Sequence, residues 1–369
     1  MINLLFCGDI MPGGVLPYQD KYASLELMEY LRYFDYRIGT LETAIGTNLP
    51  FDPIKMAGRQ NVIFARDEDF YRIKEMGFDV VSLANNHVGD LGRDGLINTI
   101  RLLKENGIEY CGAGMNEEEA SRPAVIHKDD CRIALLAYCE YEDNHWKTVP
   151  VASKNAPGIN PLKIEKVIDD IVVCKSLYDS VIVLPHWGME YSSRPLQKHV
   201  SMAKQMIDAG ACAVLGSHPH QIQPTIKYRG GIICFSMGNL LFPDFFMQPP
   251  RPIWYPDKRE VAVLSFEEVN DYPFPIEKPV KRVWKEFSRY GEIVNLVFNK
   301  GRVTMGSQYT YLSKHNVLEL GSLNHQLSHI LHREKCLLQC RPVHYVISGI
   351  KRMRQHFKHS FVKCFHDKV

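Results

Sequence analysis

The alternation of short apolar strands with helical stretches constrains this chain more than any other feature. The strand candidates up to about residue 240 are residues 3–7, 36–41, 80–83, 132–138, 181–184, 213–216 and 232–236. The helical candidates between them are residues 69–76, 95–106, 162–177 and 197–209, and further strands are expected at 261–267, 293–298 and 303–312. Such alternation predicts an α/β fold with the helices outside the sheets.

Side chains that can bind metal ions follow five of the predicted strands. They are Asp9, Glu42, Asn86, His186, and the pair His218 and His220. Open α/β sheets place their binding sites at the carboxyl ends of strands. Two carboxylates, one amide oxygen and three imidazoles form a mixed donor set suited to one or two divalent ions such as manganese, iron or zinc. Taken alone, each histidine motif is equally compatible with a buried or surface histidine that binds no metal.

The two closing histidines are separated by a single residue, Pro219. On an extended segment this spacing places both rings on one face, because strand side chains repeat every second residue. Glu190 is four residues beyond His186 and is expected to orient that imidazole or to act as a general base. A solvated loop carboxylate is the alternative for Glu190.

Four further polar or aromatic side chains adjoin these motifs. Asn85 precedes the predicted ligand Asn86, and Asn239 follows a Ser-Met-Gly turn after a predicted strand. Asn239 is expected to form hydrogen bonds near the site, although a turn asparagine is nearly as good an interpretation. Trp187 and Tyr191 are expected either to line a substrate groove or to pack in the core.

Composition places the chain among soluble, intracellular proteins. Its hydrophobic content of 45% and charged content of 23% are ordinary for a globular protein. The N-terminal residues enter a strand directly, without the basic and apolar regions of a signal peptide. The ten cysteines have no metal-finger spacing and are expected to be reduced thiols. These features predict a cytoplasmic protein.

The C-terminal segment differs in charge from the rest of the chain. Residues 320–369 contain nine lysines and arginines against two acidic residues. This asymmetry predicts one domain over residues 1–318 and a basic helical tail over residues 319–369. Within residues 341–369 an apolar stripe alternates with basic residues, a pattern that suits the surface of an anionic membrane. The alternative is that the stripe packs on the protein's own core. Binding of nucleic acid is not expected, because the tail lacks aromatic stacking platforms.

Taken together, the strand-end motifs resemble the bacterial capsule-synthesis proteins of the CapA type, a family linked to poly-γ-glutamate capsules. The motifs are Gly8-Asp9-Ile10-Met11, Leu41-Glu42-Thr43, Ala84-Asn85-Asn86-His87, His186-Trp187-Gly188-Met189-Glu190-Tyr191 and Ser217-His218-Pro219-His220. The resemblance covers about residues 2–300. It implies a variant of the calcineurin-like metallophosphoesterase fold, in which two sheets form a sandwich flanked by helices.

The resemblance also implies a role for each motif residue. Asp9 and His186 are each implied to be metal ligands, Glu42 a carboxylate that bridges two metals, Asn86 a ligating amide, and His218 and His220 the closing pair of ligands. His87 is implied to be catalytic, as the histidine that assists the leaving group.

Two positions depart from the ordinary metallophosphoesterase pattern. Met11 stands where those enzymes carry a histidine, and a thioether is a poor ligand for a borderline ion. The bridging carboxylate, Glu42, is one methylene longer than the usual aspartate. Both departures match the capsule family, but a standard dinuclear phosphatase site is not implied, because one of the two metals has one ligand fewer.

The leading interpretation is a metal-dependent hydrolase that cleaves a phosphoester, or an amide or ester bond of a polymer, during capsule, poly-γ-glutamate or exopolysaccharide biosynthesis. It would bind an anionic polymer or phosphoester substrate, and it would not bind nucleic acid. The tail at 341–369 would hold the protein beside a membrane-bound polymer synthase, on the inner face of the membrane. The alternative is a non-catalytic, metal-stabilised accessory subunit of that synthase.

Overall fold

A computed structural model describes residues 1–53, 56, 61–141, 150–249, 252–270, 276–299 and 301–339 of the chain. The tail segment 341–369, for which a membrane-binding helix is predicted, lies outside these residues. Among the helices of the described residues, none has the length and apolar character needed to cross a membrane.

The larger sheet of the described residues has eight strands. They are β1 (Ile2–Ile10), β2 (Tyr36–Leu41), β5 (Val80–Ser82), β6 (Glu109–Cys111), β15 (Asn239–Leu241), β20 (Tyr290–Asn299), β21 (Arg302–Leu312) and β22 (Leu318–Gly321). Their spatial order is β22-β21-β20-β1-β2-β5-β6, and β15 also pairs with β1. Strands β1, β2, β5 and β6 are parallel, so their carboxyl ends lie at one edge of the sheet.

The second sheet contributes the imidazole-bearing strands. It contains β8 (Ala124–Lys128), β9 (Cys131–Cys139), β11 (Ser180–His186), β12 (Ala213–Leu215), β13 (Thr225–Tyr228) and β14 (Gly231–Cys234), in the spatial order β13-β14-β12-β11-β9-β8. The four inner strands are parallel. The strand that ends at His186 therefore lies next to the strand that leads to His218.

The remaining described elements surround these two sheets. A small sheet is formed by β16 (Phe245–Met247), β17 (Ile253–Trp254), β18 (Glu267–Val269) and β19 (Val280–Arg282), and two strand pairs by β3 (Ala44–Ile45) with β4 (Phe64–Ala65) and β7 (Ala113–Gly114) with β10 (Gly158–Ile159). The helices are α1 (Leu25–Leu31), α2 (Tyr71–Glu75), α3 (Gly92–Glu105), α4 (Glu117–Ser121), α5 (Ile164–Leu177), α6 (Gln197–Asp208), α7 (Lys258–Val263) and α8 (His325–Gln339). Short 3₁₀ helices span Leu16–Tyr18, Asp67–Phe70 and Glu286–Arg289.

The two main sheets pack face to face, because each strand alternates its side chains between two faces. On β11, Ile182 belongs to the apolar core shared with Leu4 and Ile38 of the larger sheet. Its neighbour Val183 points to the other face and packs with α5 and α6, for example against Met206. The predicted α/β fold, a two-sheet sandwich flanked by helices, is confirmed.

One predicted strand is wrong. Residues 261–267 were expected to be extended, but α7 occupies Lys258–Val263 and only Glu267 is in a strand. The cause lies just before the helix, where the Asp257 carboxylate accepts hydrogen bonds from the backbone N–H groups of Arg259 and Glu260. Such a cap satisfies amide groups that the helix leaves without partners and favours helix over strand.

The described part of the tail is in contact with the body of the protein. Strand β22 crosses the predicted boundary at residue 318 and pairs with β21. On α8, Leu327 is buried, and Glu334 accepts two hydrogen bonds from the Arg194 guanidinium at 2.6 and 2.7 Å. The tail therefore begins on the domain surface, and the division at residue 318 stays a prediction.

Asp244 connects the small sheet to the rest of the fold. Its buried carboxylate accepts hydrogen bonds from the Arg289 guanidinium, the Trp284 backbone N–H and the Asn316 side chain, each at 3.0 Å. We expect Asp244→Ala to lower the free energy of unfolding by about 3–5 kcal/mol, because it leaves a buried guanidinium without its counter-charge. Urea denaturation would measure the change.

The matched control for this variant is Asp208→Ala. Asp208 forms an exposed ion pair with Arg229 at 2.8 Å, so its loss should cost at most about 1 kcal/mol. Equal unfolding free energies for the two variants would contradict the structural role of Asp244.

Candidate metal centre

The predicted ligands converge at the edge where the parallel strands of both main sheets end. The donor atoms fall into two triads: Glu42, His186 and His218 form one, and Asp9, Glu42 and His220 form the other. Within each triad the donor atoms lie within 4.8 Å of one another, and every residue is buried. Glu42 belongs to both triads, as a bridging carboxylate would.

The two carboxylates of the site are buried close together without a compensating positive charge among their described hydrogen-bond partners. Both oxygens of Glu42 and Oδ1 of Asp9 are buried without a hydrogen-bond partner among the described residues. Burial raises the pKa of Asp9 to about 7. Burial and then the charge of Asp9 raise the pKa of Glu42 well above its usual range. A divalent cation would remove both penalties, so the donor set fits a metal.

The three imidazoles are held in the neutral form that binds metals. Burial lowers the pKa of His186 and of His218 well below the usual value, and it lowers the pKa of His220 to about 3. At neutral pH each ring therefore keeps a nitrogen lone pair available for a metal. The rings of His186 and His218 are close, with centroids 4.9 Å apart.

The closing histidines reach the site by a different backbone route from the one expected. Strand β12 ends at Leu215, and the residues that follow form a bend rather than an extended segment. His218 and His220 have left-handed φ angles of +96° and +51°, which are unfavourable for residues with a Cβ atom. The bend lets the backbone N–H of His218 donate to Asp9 Oδ2 at 3.1 Å.

Asn86 and Ser217 fix the orientation of the His186 ring. Nδ1 of His186 lies 2.8 Å from the Ser217 hydroxyl, and Nε2 lies 2.8 Å from Asn86 Oδ1. The second distance is short enough for the amide oxygen and the imidazole to bind the same ion. The structure thus brings the sixth predicted ligand to the site as well.

The two other asparagines support the ligands. Asn239 Oδ1 accepts a hydrogen bond from Nδ1 of His220 at 2.9 Å, which leaves Nε2 facing Glu42 at 3.7 Å. Asn85 donates to the backbone carbonyl of Leu41 at 2.8 Å, next to Glu42. Hydrogen bonds of this kind hold metal ligands in position.

His87 lies beside the ligands and is paired with a carboxylate. Its Nδ1 donates to Asp90 Oδ2 at 2.7 Å, and its backbone N–H donates to Asn85 Oδ1 at 2.9 Å. Asp90 is fully buried and also accepts the backbone N–H of Ile63. With Nδ1 engaged in this way, Nε2 is the nitrogen left for proton exchange.

The remaining predicted site residues occupy different surroundings. Trp187 packs in the core, stacked on His199 with 4.8 Å between ring centroids, so it does not line a groove. Tyr191 is half-buried, and its ring centroid lies 6.2 Å from that of His220. Glu190 is exposed at the rim, and its charge contributes to the raised pKa of Glu42. Both predicted roles of Glu190, orienting His186 or acting as a general base, stay predictions.

Several functional neighbours were not predicted from the sequence. Asp90 could have been found, because it follows His87 by three residues in a polar turn. Ser217 directly precedes His218 and could also have been found. Arg282 ends β19 of the small sheet and Trp284 follows that strand, both more than 40 residues beyond Asn239, and no local pattern connects them to the site.

Comparison with known sequences identifies one family over most of the chain. The family described as bacterial capsule synthesis protein PGA_cap matches residues 3–244. The capsule biosynthesis protein CapA of Bacillus anthracis is 30% identical over 258 residues, which cover 65% of this chain and 60% of that protein. The PGA biosynthesis protein CapA of Bacillus subtilis is 29% identical over 248 residues, covering 66% and 63%. The matched region thus spans less than two thirds of these relatives.

More distant similarities also exist. A probable polyglutamine synthesis accessory protein of Mycobacterium tuberculosis is 29% identical over 169 residues, covering 44% of each chain. Among solved structures, a phosphatase from Mycoplasma pneumoniae has a TM-score of 0.45 at 13% identity, covering 84% of this chain and 92% of that one. The sulfate thiohydrolase SoxB of Thermus thermophilus has a TM-score of 0.44 at 10% identity, covering 90% and 60%. At these values neither protein's activity is transferred to this chain.

Removal of one imidazole should weaken metal binding. We expect His218→Ala to bind a divalent ion at least about tenfold more weakly, because even the loss of a residue that only supports a ligand costs about that much. Elemental analysis of the purified variant would measure the metal content. His127→Ala is the control, since His127 is exposed on β8. Equal metal content in the two variants would contradict the site.

Metal binding should also release protons. Below about pH 7 the metal-free protein holds a proton on Asp9, and the raised pKa of Glu42 favours protonation there too. Bound carboxylates are deprotonated, so metal affinity should fall as the pH drops below about 7, and metal binding at pH 6 should release protons. Calorimetry in buffers of different ionisation enthalpy counts these protons, and binding without proton release would contradict the expectation.

Proposed function

This chain belongs to the bacterial capsule synthesis protein PGA_cap family, as its strand-end motifs predict, and we propose that it is a metal-dependent hydrolase. Its substrate would be a phosphoester, or an amide or ester bond of a polymer, in the biosynthesis of a capsule, poly-γ-glutamate or an exopolysaccharide. One observation carries the proposal: two ligand triads share a buried Glu42 whose oxygens accept no hydrogen bond from the described residues.

The residues that would hold the metal follow from the two triads. Glu42, His186 and His218, joined by Asn86, would bind one ion, while Asp9, Glu42 and His220 would bind a second. Manganese, iron and zinc suit this mixed donor set. When bound, a divalent ion lowers the pKa of a water ligand and polarises the bond to be cleaved.

His87 would supply the proton for the leaving group. Asp90 holds the ring through Nδ1 at 2.7 Å, which directs Nε2 away from the carboxylate. The hydrogen bond from the His87 N–H to Asn85 ties this donor to the loop that carries Asn86. Glu190, which is exposed, would accept a proton from a substrate or a water.

One feature favours the non-catalytic alternative. Met11 is fully buried in an apolar cluster with Phe242 and Trp284, and its sulfur accepts the backbone N–H of Gly13 at 3.2 Å. A metal ion at the second triad would therefore have one nitrogen ligand fewer than in ordinary metallophosphoesterases. An accessory subunit that only uses a metal for stability would tolerate this loss.

The substrate and location of the protein complete the proposal. An anionic polymer or its precursor fits the family, and a membrane-bound synthase is the partner that residues 341–369 would approach at the inner face of the membrane. These assignments apply the pathway of the family's relatives to this chain, which matches only part of their length.

The roles of His87 and Asp90 can be separated by kinetics. In the manganese-loaded protein we expect His87→Ala to retain its metal and to lose about two to four orders of magnitude in the hydrolysis of a phosphodiester with an alkoxide leaving group, which needs a proton from the enzyme. Asp90→Asn should lose less, because the ring remains present but is held less firmly. Stopped assays together with elemental analysis measure both quantities.

The outcomes of this experiment distinguish the proposed roles. Loss of metal together with activity in His87→Ala would make His87 a ligand. Absence of hydrolysis by the metal-loaded wild-type protein, on phosphodiester and amide substrates alike, would favour the accessory role. His127→Ala serves again as the control and should keep full activity.

A further inference from the structure

A fully buried arginine lies on the side of the small sheet that faces the metal centre. Arg282 is the last residue of β19 and is paired in register with Phe245 of β16. Phe245 belongs to the apolar cluster that also contains Met11. The preceding residue, Lys281, points to the opposite face, because successive strand residues alternate.

Aromatic side chains hold the guanidinium beside the closing ligand of the site. Arg282 Cζ lies 3.8 Å from the centroid of the Trp284 ring, and Nη2 donates to the Tyr191 hydroxyl at 3.0 Å. Trp284 and Tyr191 both adjoin His220, with ring centroids 5.0 and 6.2 Å from that of the imidazole. The cation is thus in the same enclosure as the proposed ligands.

Tyr191 is held in this enclosure at a conformational cost. Its φ angle of +59° lies in the left-handed region, which is unfavourable for a residue with a large side chain. Its backbone N–H donates at 2.8 Å to the carbonyl of Pro219, the residue between His218 and His220. Strained conformations of this kind are maintained where the surrounding structure requires a particular side-chain position.

The net charge of the enclosure depends on the number of metal ions and on Arg282. Asp9 and Glu42 together carry two negative charges when ionised, which one divalent ion neutralises. Glu190 and Asp90 add two more negative charges that act on Glu42, so with Arg282 the enclosure would be positive once two ions are bound. Arg282 is connected to the closing ligand through Trp284, because the Trp284 ring contacts both the guanidinium and the His220 ring. Such an enclosure favours a ligand that brings negative charge.

We propose that Arg282 and Tyr191 form an oxyanion-recognition site beside the metal centre, which binds a phosphate or carboxylate group of the substrate next to the bond that is cleaved. The planar guanidinium is suited to this task, because its parallel N–H groups match the oxygens of a phosphate or carboxylate. The proposal rests on the proposed hydrolase function and narrows its substrate class to anionic compounds.

Inorganic phosphate is the probe for this site. The manganese-loaded full chain is titrated with phosphate in a calorimeter, alongside Arg282→Gln, Tyr191→Phe and the control Lys281→Gln. We expect Arg282→Gln to weaken phosphate binding by about 10- to 100-fold and Tyr191→Phe by about 3- to 10-fold, in line with the loss of charged and neutral hydrogen bonds. Lys281→Gln, altered on the opposite face of β19, should bind phosphate like the wild type.

The second measurement is the steady-state kinetics of an anionic substrate. In Arg282→Gln the KM for bis(p-nitrophenyl) phosphate should rise with a smaller change in kcat, whereas a merely structural role would lower kcat and metal content together. Wild-type phosphate affinity in both Arg282→Gln and Tyr191→Phe, at equal metal content, would overturn the proposal. If Arg282→Gln does not retain its metal, the test uses Tyr191→Phe alone. Wild-type phosphate affinity in Tyr191→Phe would then overturn the proposal.

The failure of this proposal is distinguishable from the failure of the hydrolase function. A protein that binds phosphate through Arg282 but cleaves no substrate would support the oxyanion site and refute the hydrolase. A protein that cleaves phosphodiesters with a phosphate affinity independent of Arg282 and Tyr191 would refute the oxyanion site alone.

Discussion

The burial of two carboxylates at adjacent strand ends is the constraint on which the site depends. Removal of an ionised carboxylate from water costs several kcal/mol, and a second one beside it adds repulsion. Glu42 and Asp9 accept too few hydrogen bonds from the described residues to offset this cost. The raised pKa of each carboxyl group expresses the same penalty. A cation is the simplest compensation, and the neutral imidazoles around the carboxylates provide the ligands that complete its coordination.

A close backbone contact assembles this arrangement. Asp9 and Asn239 are paired in register between β1 and β15, and the Asp9 N–H donates to the Gly238 carbonyl at 3.0 Å. A Cβ atom at Gly8 would lie 1.8 Å from that carbonyl oxygen, so only glycine permits the approach. Because β15 can come this near, Asn239 reaches His220 and fixes the ring nitrogen that faces Glu42.

Much of this site could be predicted from the sequence, since strand ends are local features. Asp9, Glu42 and His186 were expected at strand ends and lie there. The segment of His218 and His220 was expected to be extended but forms a bend. The hydrogen bond between His218 and Asp9, which are distant in sequence, stabilises this bend. Contacts between distant segments, such as that of Asn86 with His186, depend on how the two sheets pack and have no local signal. Arg282 was missed for the same reason.

The methionine at position 11 and the arginine at position 282 have related consequences for the site. Met11, which is expected to stand in place of a histidine, packs in the same apolar cluster as Trp284, and the Arg282 guanidinium lies over the Trp284 ring. The cluster therefore supplies no ligand to the second triad, while the guanidinium adds a fixed positive charge nearby. A fixed cation, unlike a metal ion, is not lost by dissociation. In the proposed enzyme, binding of the substrate's negative charge would thus depend less on full occupancy of both triads.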